Sequence, residues 1–76
     1  MSFKVQLCYI NGETKDLEIM PSELIGNKKK SEHQEMATWK CSGRVLKNDR
    51  TFDSYDIEPK DIIYSSHKNQ GGKNFK

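Results

Sequence analysis

Two cysteines and two histidines are the residues of this chain best suited to nucleophilic or metal chemistry: Cys8, Cys41, His33 and His67. Cys41 follows Lys40 and precedes Arg44 by three residues, and nearby positive charge lowers the pKa of a thiol. A catalytic thiol also needs an oriented base, and both histidines fall in segments predicted as loop or tail. The spacing of the four residues matches no zinc motif. We therefore expect a protein with no catalytic residues, no metal and no cofactor.

Length and composition indicate one small domain. The chain has 76 residues, of which 33% are hydrophobic and 32% are charged, and its formal net charge is only +2. This balance does not favour a nucleic acid as the partner. No apolar segment has the length of a signal peptide or a membrane span, and two cysteines are too few for a disulfide framework. We expect a monomer in the cytoplasm or the nucleus, with no membrane partner.

Hydrophobic patterning predicts a hairpin at the amino end and three later strands. Apolar and polar residues alternate over positions 3–10, and Asn11-Gly12 is a strong signal for a hairpin turn. A returning strand is predicted at 14–20, with Ile10 exposed at the tip of the hairpin. The later strands are predicted at 39–41, 45–46 and 62–64.

A tight corner organises the second half of the chain, between Gly43 and Ile57. Thr51 is predicted to cap a short helical turn, with its hydroxyl within reach of the amide of Ser54. Tyr55 follows that turn, where a tyrosine can bury its ring and return its hydroxyl to an earlier backbone group. The segment is therefore predicted to hold two strands together around a buried tyrosine.

The pattern Gly43-x-x-Leu46-x-x-x-Arg50-Thr51-x-x-x-Tyr55-x-Ile57 resembles the second half of ubiquitin. The first half has the spacing of the opening hairpin and helix start of that family, at Val5, Leu7, Asn11-Gly12, Leu17, Ile19 and Pro21-Ser22. The resemblance implies an α+β fold, the β-grasp, in which one helix packs across a mixed sheet and the last strand lies between the first and the third. Residues 1–66 would form this domain, and residues 67–76 a flexible tail.

The helix is the least regular part of the pattern. Pro21-Ser22-Glu23 is typical of a helix start, with Ser22 as the cap. Charged residues interrupt the face that should meet the sheet, which carries Ile25, Lys29, Glu32 and Met36. In the family, moreover, the positions that match Lys28 and Glu32 are apolar. Two solutions stay open: the lysine stems lie along the core with their charges in water, or the helix is short and Trp39 fills the space.

The resemblance also implies a surface for protein partners. The positions that match the apolar receptor patch of ubiquitin, together with one basic residue of the tail, are Ile10, Lys40, Tyr64, Ser66 and Lys68. Lys40 and Ser66 are charged or polar here, so the usual ubiquitin receptors are expected to bind poorly. Arg44 and Pro59 occupy the positions of the two principal chain-building lysines, and neither residue can form an isopeptide bond.

A pair of glycines, Gly71-Gly72, matches the end by which members of the family are joined to other proteins. Two residues without side chains can enter a narrow enzyme channel, where the carboxylate of Gly72 would be activated. A protease would first have to remove residues 73–76. The alternative is a plain flexible linker, which is the usual role of paired glycines.

Three roles follow from the resemblance, and all involve protein partners. The chain is expected to be a non-enzymatic interaction module that binds receptors of ubiquitin-like proteins. It would also be a modifier if activating enzymes, conjugating enzymes and a processing protease act on Gly72. Alternatively, it is the ubiquitin-like leader of a longer fusion, for example to a ribosomal protein, and is not conjugated. The basic segment Lys73–Lys76 would suit the start of such a fusion.

Overall fold

The computed structural model describes residues 1–68 and confirms the predicted α+β class. In this part of the chain one mixed sheet contains β1 Phe3–Cys8, β2 Thr14–Ile19, β3 Trp39–Cys41, β4 Arg44–Leu46 and β5 Ile62–Ser65. The helix α1, Ile25–Ser31, follows β2, and a 3-10 turn covers Phe52–Tyr55. The strand order is β2-β1-β5-β3-β4, with β5 parallel to β1 and antiparallel to β3. This order is a β-grasp arrangement, with the last strand in the predicted place.

The first hairpin follows the alternation of the sequence. The residues predicted to point inward are buried beneath the sheet: Val5, Leu7, Tyr9, Leu17 and Ile19. The turn differs slightly from the expected two-residue type. The amide of Tyr9 donates to the carbonyl of Glu13 over 2.8 Å, and only Gly12 has a positive φ, of 90°. The connection is therefore a three-residue loop in which Gly12 supplies the left-handed residue.

Backbone groups, and not a side chain, cap the start of α1. The helix begins after Leu24, so the prediction that Ser22 caps it is wrong. The amides of Ile25 and Gly26 instead donate to carbonyls of the corner segment, those of Arg50 and Asn48, over 2.9 and 3.0 Å. The corner comes so close that a Cβ on Gly26 would lie 3.0 Å from the carbonyl oxygen of Asn48. Glycine at this position therefore serves the packing of helix and corner, although it weakens the helix itself.

The length of α1 bears on how its charged face packs, for which the sequence left two possibilities open. The helix stops at Ser31, and Met36 is 86% exposed well beyond it. The helix is therefore short and Trp39 is fully buried, as one solution predicted, while the burial of Lys29 agrees with the other in placing a lysine stem against the core. Glu32 does not enter the core either, because its carboxylate forms a salt bridge of 2.6 Å with Lys15 on β2.

Lys29 is buried although it forms no salt bridge with any residue of the described segment 1–68. Its side chain is only 4% exposed, and its Nζ donates to the amide oxygen of Asn48 over 2.8 Å. Removal from water disfavours the ammonium form, and this burial lowers the pKa of Lys29. The position therefore carries a desolvation cost that a neutral hydrogen-bond acceptor offsets only in part.

Replacing Lys29 with methionine is expected to stabilise the domain by about 1 kcal/mol at neutral pH, because the apolar stem is kept and the buried charge is removed. Since folding lowers the pKa of Lys29, the cost is fully present at neutral pH and fades as the pH rises towards the unfolded value of 10.5. The extra stability of Lys29→Met over the wild type should decrease over the same pH range. Urea unfolding of both proteins between pH 7 and pH 10.5 measures it, and a variant less stable at pH 7 would contradict the expectation.

The corner is built around Tyr55 as predicted. The ring is buried, and the phenolic oxygen accepts a hydrogen bond of 3.0 Å from the amide of Lys47. The predicted cap from the hydroxyl of Thr51 to the amide of Ser54 is wrong, because this hydroxyl donates to the carboxylate of Asp53, a stronger acceptor. The amide of Ser54 donates to the carbonyl of Thr51 instead, over 3.2 Å.

Candidate partner-binding surface

A row of side chains crosses the outer face of the sheet and includes two of the predicted partner-binding residues. The strand register places Val45 beside Lys40, Lys40 beside Tyr64, and Tyr64 beside Cys8. Side chains directly opposite each other on neighbouring strands lie about 5 Å apart at their Cβ atoms. The row is therefore a continuous strip across β4, β3, β5 and β1.

Exposed apolar side chains concentrate around this row. Tyr64 is 55% exposed, Val45 47%, Ile62 40% and Ile10 64%. Ile62 lies two residues before Tyr64 on β5, and thus on the same face of the sheet. The amide of Ile10 donates to the carbonyl of His67 over 3.0 Å, which joins the hairpin tip to the segment after β5. We call this surface the outer patch: Ile10, Lys40, Val45, Ile62 and Tyr64.

Ser66 lies beside Lys40 and Tyr64. These three residues line a cavity of about 390 Å³ together with Thr38 and Ser65. Two hydrogen bonds hold Ser66 against Thr38: its amide donates to the Thr38 carbonyl over 3.0 Å, and its hydroxyl oxygen accepts from the Thr38 amide over 2.9 Å. The structure thus brings Lys40, Tyr64 and Ser66 together around one cavity.

A buried glutamine fixes the backbone at Lys68. The side-chain amide of Gln34 donates to the carbonyl of Lys68 over 2.9 Å. The amide oxygen of Gln34 accepts from the indole nitrogen of Trp39 over 3.4 Å and from the hydroxyl of Ser65. The chain is therefore attached to the domain as far as Lys68, whose own side chain is exposed. The predicted conjugation residues, Gly71-Gly72, lie outside the described residues.

Sequence reasoning missed three residues of this region. Val45 and Ile62 are apolar residues at outward positions of β4 and β5. Each is followed by another apolar residue, so the sequence shows that the two neighbours face opposite ways but does not show which one is exposed. Gln34 lies in the polar run between α1 and Trp39, and no feature of that run signals burial.

Of the residues suited to nucleophilic or metal chemistry, His33 and His67 line one cavity with Glu35 and Met36, and neither cysteine lines it. Cys41 is buried on the inner face of the sheet, and this burial raises the pKa of its thiol. The prediction that Lys40 and Arg44 lower this pKa is therefore wrong. A buried, protonated thiol is a poor nucleophile. Within residues 1–68, no three His, Cys, Asp or Glu side chains are grouped to hold a metal ion.

The described part of the chain, residues 1–68, has no helix with the length and apolar character needed to cross a membrane. No protein-family model matches the chain, and no curated protein matches it in sequence. The outer patch and the backbone held at Lys68 are the features of the described residues that bear on function.

Proposed function

We propose that this protein is a ubiquitin-like interaction module without enzymatic activity, and that it binds other proteins through the outer patch. The observation that carries the proposal is the grouping of Ile10, Val45, Ile62 and Tyr64, each at least 40% exposed, around one cross-strand row. Single exposed apolar residues are ordinary on a protein surface, whereas a contiguous group indicates a contact with another molecule. The proposed setting is the cytoplasm or the nucleus.

The backbone beneath the outer patch favours binding. Tyr64 lies on β5, which is paired with β1 on one side and with β3 on the other. The backbone of a doubly paired strand is already ordered, so binding at Tyr64 costs little free energy for ordering the backbone. Tyrosine is also one of the residue types that most often dominate protein interfaces, because it combines a large apolar ring with a hydroxyl.

Replacing Tyr64 with serine is expected to reduce the binding of protein partners at least about tenfold, which corresponds to a loss of about 1.4 kcal/mol. The measurement compares the proteins retained by the immobilised full chain and by the variant, from extracts of cells that express this protein, by quantitative mass spectrometry. Met36→Ser is the matched control, because Met36 is 86% exposed and lies outside the outer patch. Retention of the same proteins, in the same amounts, by all three forms would contradict the proposal.

A second role, as a protein modifier, is favoured by the short sequence distance between Lys68 and the paired glycines. The hydrogen bonds of Ser66 and Gln34 hold the backbone beside the outer patch as far as Lys68. Gly71-Gly72 follows within four residues of the sequence. An enzyme that binds the outer patch would therefore have the paired glycines within four residues of backbone that the domain holds. Conjugation would proceed through the carboxylate of Gly72 after removal of residues 73–76.

Gly72→Ala is expected to leave the fold intact and to abolish processing and conjugation. Intact-protein mass spectrometry from the source cells, combined with a search for adducts on other proteins, measures the effect. A species that ends at Gly72 and forms adducts supports the modifier. A longer chain that persists, with no adducts, supports the fusion leader and removes the modifier role. A variant that is processed and forms adducts to the same extent as the wild type would also remove it.

A further inference from the structure

Lys40 places a positive charge at the centre of the outer patch. The register puts Val45 on one side of it and Tyr64 on the other, and neither side chain can neutralise an ammonium group at neutral pH. The cavity that Lys40 lines adds only hydroxyl groups, those of Thr38, Ser65 and Ser66. The immediate surroundings of Lys40 therefore contain apolar and hydroxyl groups but no acid.

Other charged residues on the outer face of the sheet have an opposite charge close by. Lys4 lies opposite Glu18 in the register of β1 and β2, and Asp16 shares a cavity with Lys4. Lys40 forms no ion pair with any residue of the described segment 1–68. Within residues 1–68, an acid therefore lies opposite Lys4 in the strand register, whereas the residues opposite Lys40 are Val45 and Tyr64, two of the exposed apolar side chains.

We infer that the outer patch recognises a peptide segment in which an aspartate or glutamate is flanked by large apolar residues. This inference rests on the interaction function proposed above and names the chemistry of the partner. The carboxylate of the segment pairs with the ammonium group of Lys40. Its apolar side chains contact Tyr64 and Val45 on the two sides of that pair.

Desolvation makes this pairing selective. A partner that covers Tyr64 and Val45 must also remove water from Lys40, which lies between them. An ammonium group without water or a counterion costs free energy, and a carboxylate at hydrogen-bond distance offsets that cost. A neutral residue at the same place leaves the charge unpaired, and a basic residue repels it. Lys40 thus rejects wrong partners as much as it attracts the right one.

Peptide selection tests the inference even though the partner protein is unidentified. A randomised peptide library displayed on phage is selected against the immobilised full chain and, separately, against Lys40→Glu. Peptides selected by the wild type are expected to carry Asp or Glu next to large apolar residues. Peptides selected by Lys40→Glu are expected to carry Lys or Arg at the corresponding place. A synthetic wild-type-selected peptide should bind Lys40→Glu at least about tenfold more weakly, and its acid-to-amide version should lose a similar factor on the wild type.

A control variant and two distinct outcomes separate a failure of the inference from a failure of the interaction function. Lys30→Glu makes the same charge change at an exposed position of α1 and is expected to leave the affinity of the selected peptide unchanged. Peptides that require Tyr64 but carry no acid, and that bind Lys40→Glu as tightly as the wild type, would overturn the inference and leave the interaction function standing. If no selected peptide loses affinity for Tyr64→Ser, both the inference and the interaction function fail.

Discussion

Replacing Tyr55 with alanine is expected to lower the free energy of unfolding by about 4 kcal/mol, which approaches the whole stability of so small a domain. The buried ring would leave a cavity, and the amide of Lys47 would lose the phenolic acceptor at 3.0 Å. The guanidinium groups of Arg44 and Arg50 would also lose the ring face, whose centroid lies 5.4 and 4.5 Å from their central carbons. Urea denaturation followed by circular dichroism measures the change.

Tyr55→Phe is the matched control for this loss, because it keeps the ring and removes only the hydroxyl. Its expected cost is about 1 kcal/mol, the usual net contribution of one hydrogen bond to a partly buried amide. A midpoint for Tyr55→Ala that equals the midpoint of the wild type would mean that the corner does not depend on the ring. A cost as large for phenylalanine as for alanine would assign the effect to the hydroxyl alone.

Gln34→Leu should have the second-largest effect, a loss of about 3 kcal/mol. The substitution keeps most of the buried volume but removes the acceptor of two buried donors, the indole N–H of Trp39 and the hydroxyl of Ser65. Each buried polar group left without a partner costs about 1–3 kcal/mol. The carbonyl of Lys68 also loses its donor, so hydrogen exchange near the end of β5 should accelerate along with global unfolding.

Gln6→Leu is the matched control, because it makes the same chemical change at a glutamine that lacks the buried hydrogen bonds of Gln34. Gln6 is exposed on the outer face of β1, so its expected effect on stability is within about 0.5 kcal/mol. Urea midpoints for both variants and the wild type measure the difference. Equal effects of the two substitutions would mean that the hydrogen bonds of Gln34 contribute nothing to stability.

Period-two alternation and turn chemistry predicted the first hairpin and the corner, whereas the arrangement of the sheet was implied by the resemblance. The inward positions Leu17 and Ile19, the hairpin at Gly12 and the buried ring of Tyr55 all follow from residues within a short window of the sequence. Each of these features depends on neighbours along the chain or across one turn, which is what a sequence pattern describes.

The parts that sequence did not predict depend on contacts between distant segments. The start of α1 is capped by carbonyls of Asn48 and Arg50, which lie far along the chain, and no local rule replaces the expected cap at Ser22 by those groups. Gln34 is buried with its amide oxygen bonded to Trp39 and Ser65, which lie on two different strands. For the outer patch, the resemblance predicted Ile10, Lys40 and Tyr64, and strand register added Val45.

The central claim is that the outer patch is where partner proteins bind. Site-specific photo-crosslinking tests it most directly, with a benzophenone amino acid incorporated in place of Tyr64 in cells that produce the full chain. We expect discrete crosslinked adducts that disappear when Val45 is also changed to Glu, and none from the same reagent placed at Met36, which is exposed outside the patch. No adducts at position 64, or the same adducts from positions 64 and 36, would contradict the claim.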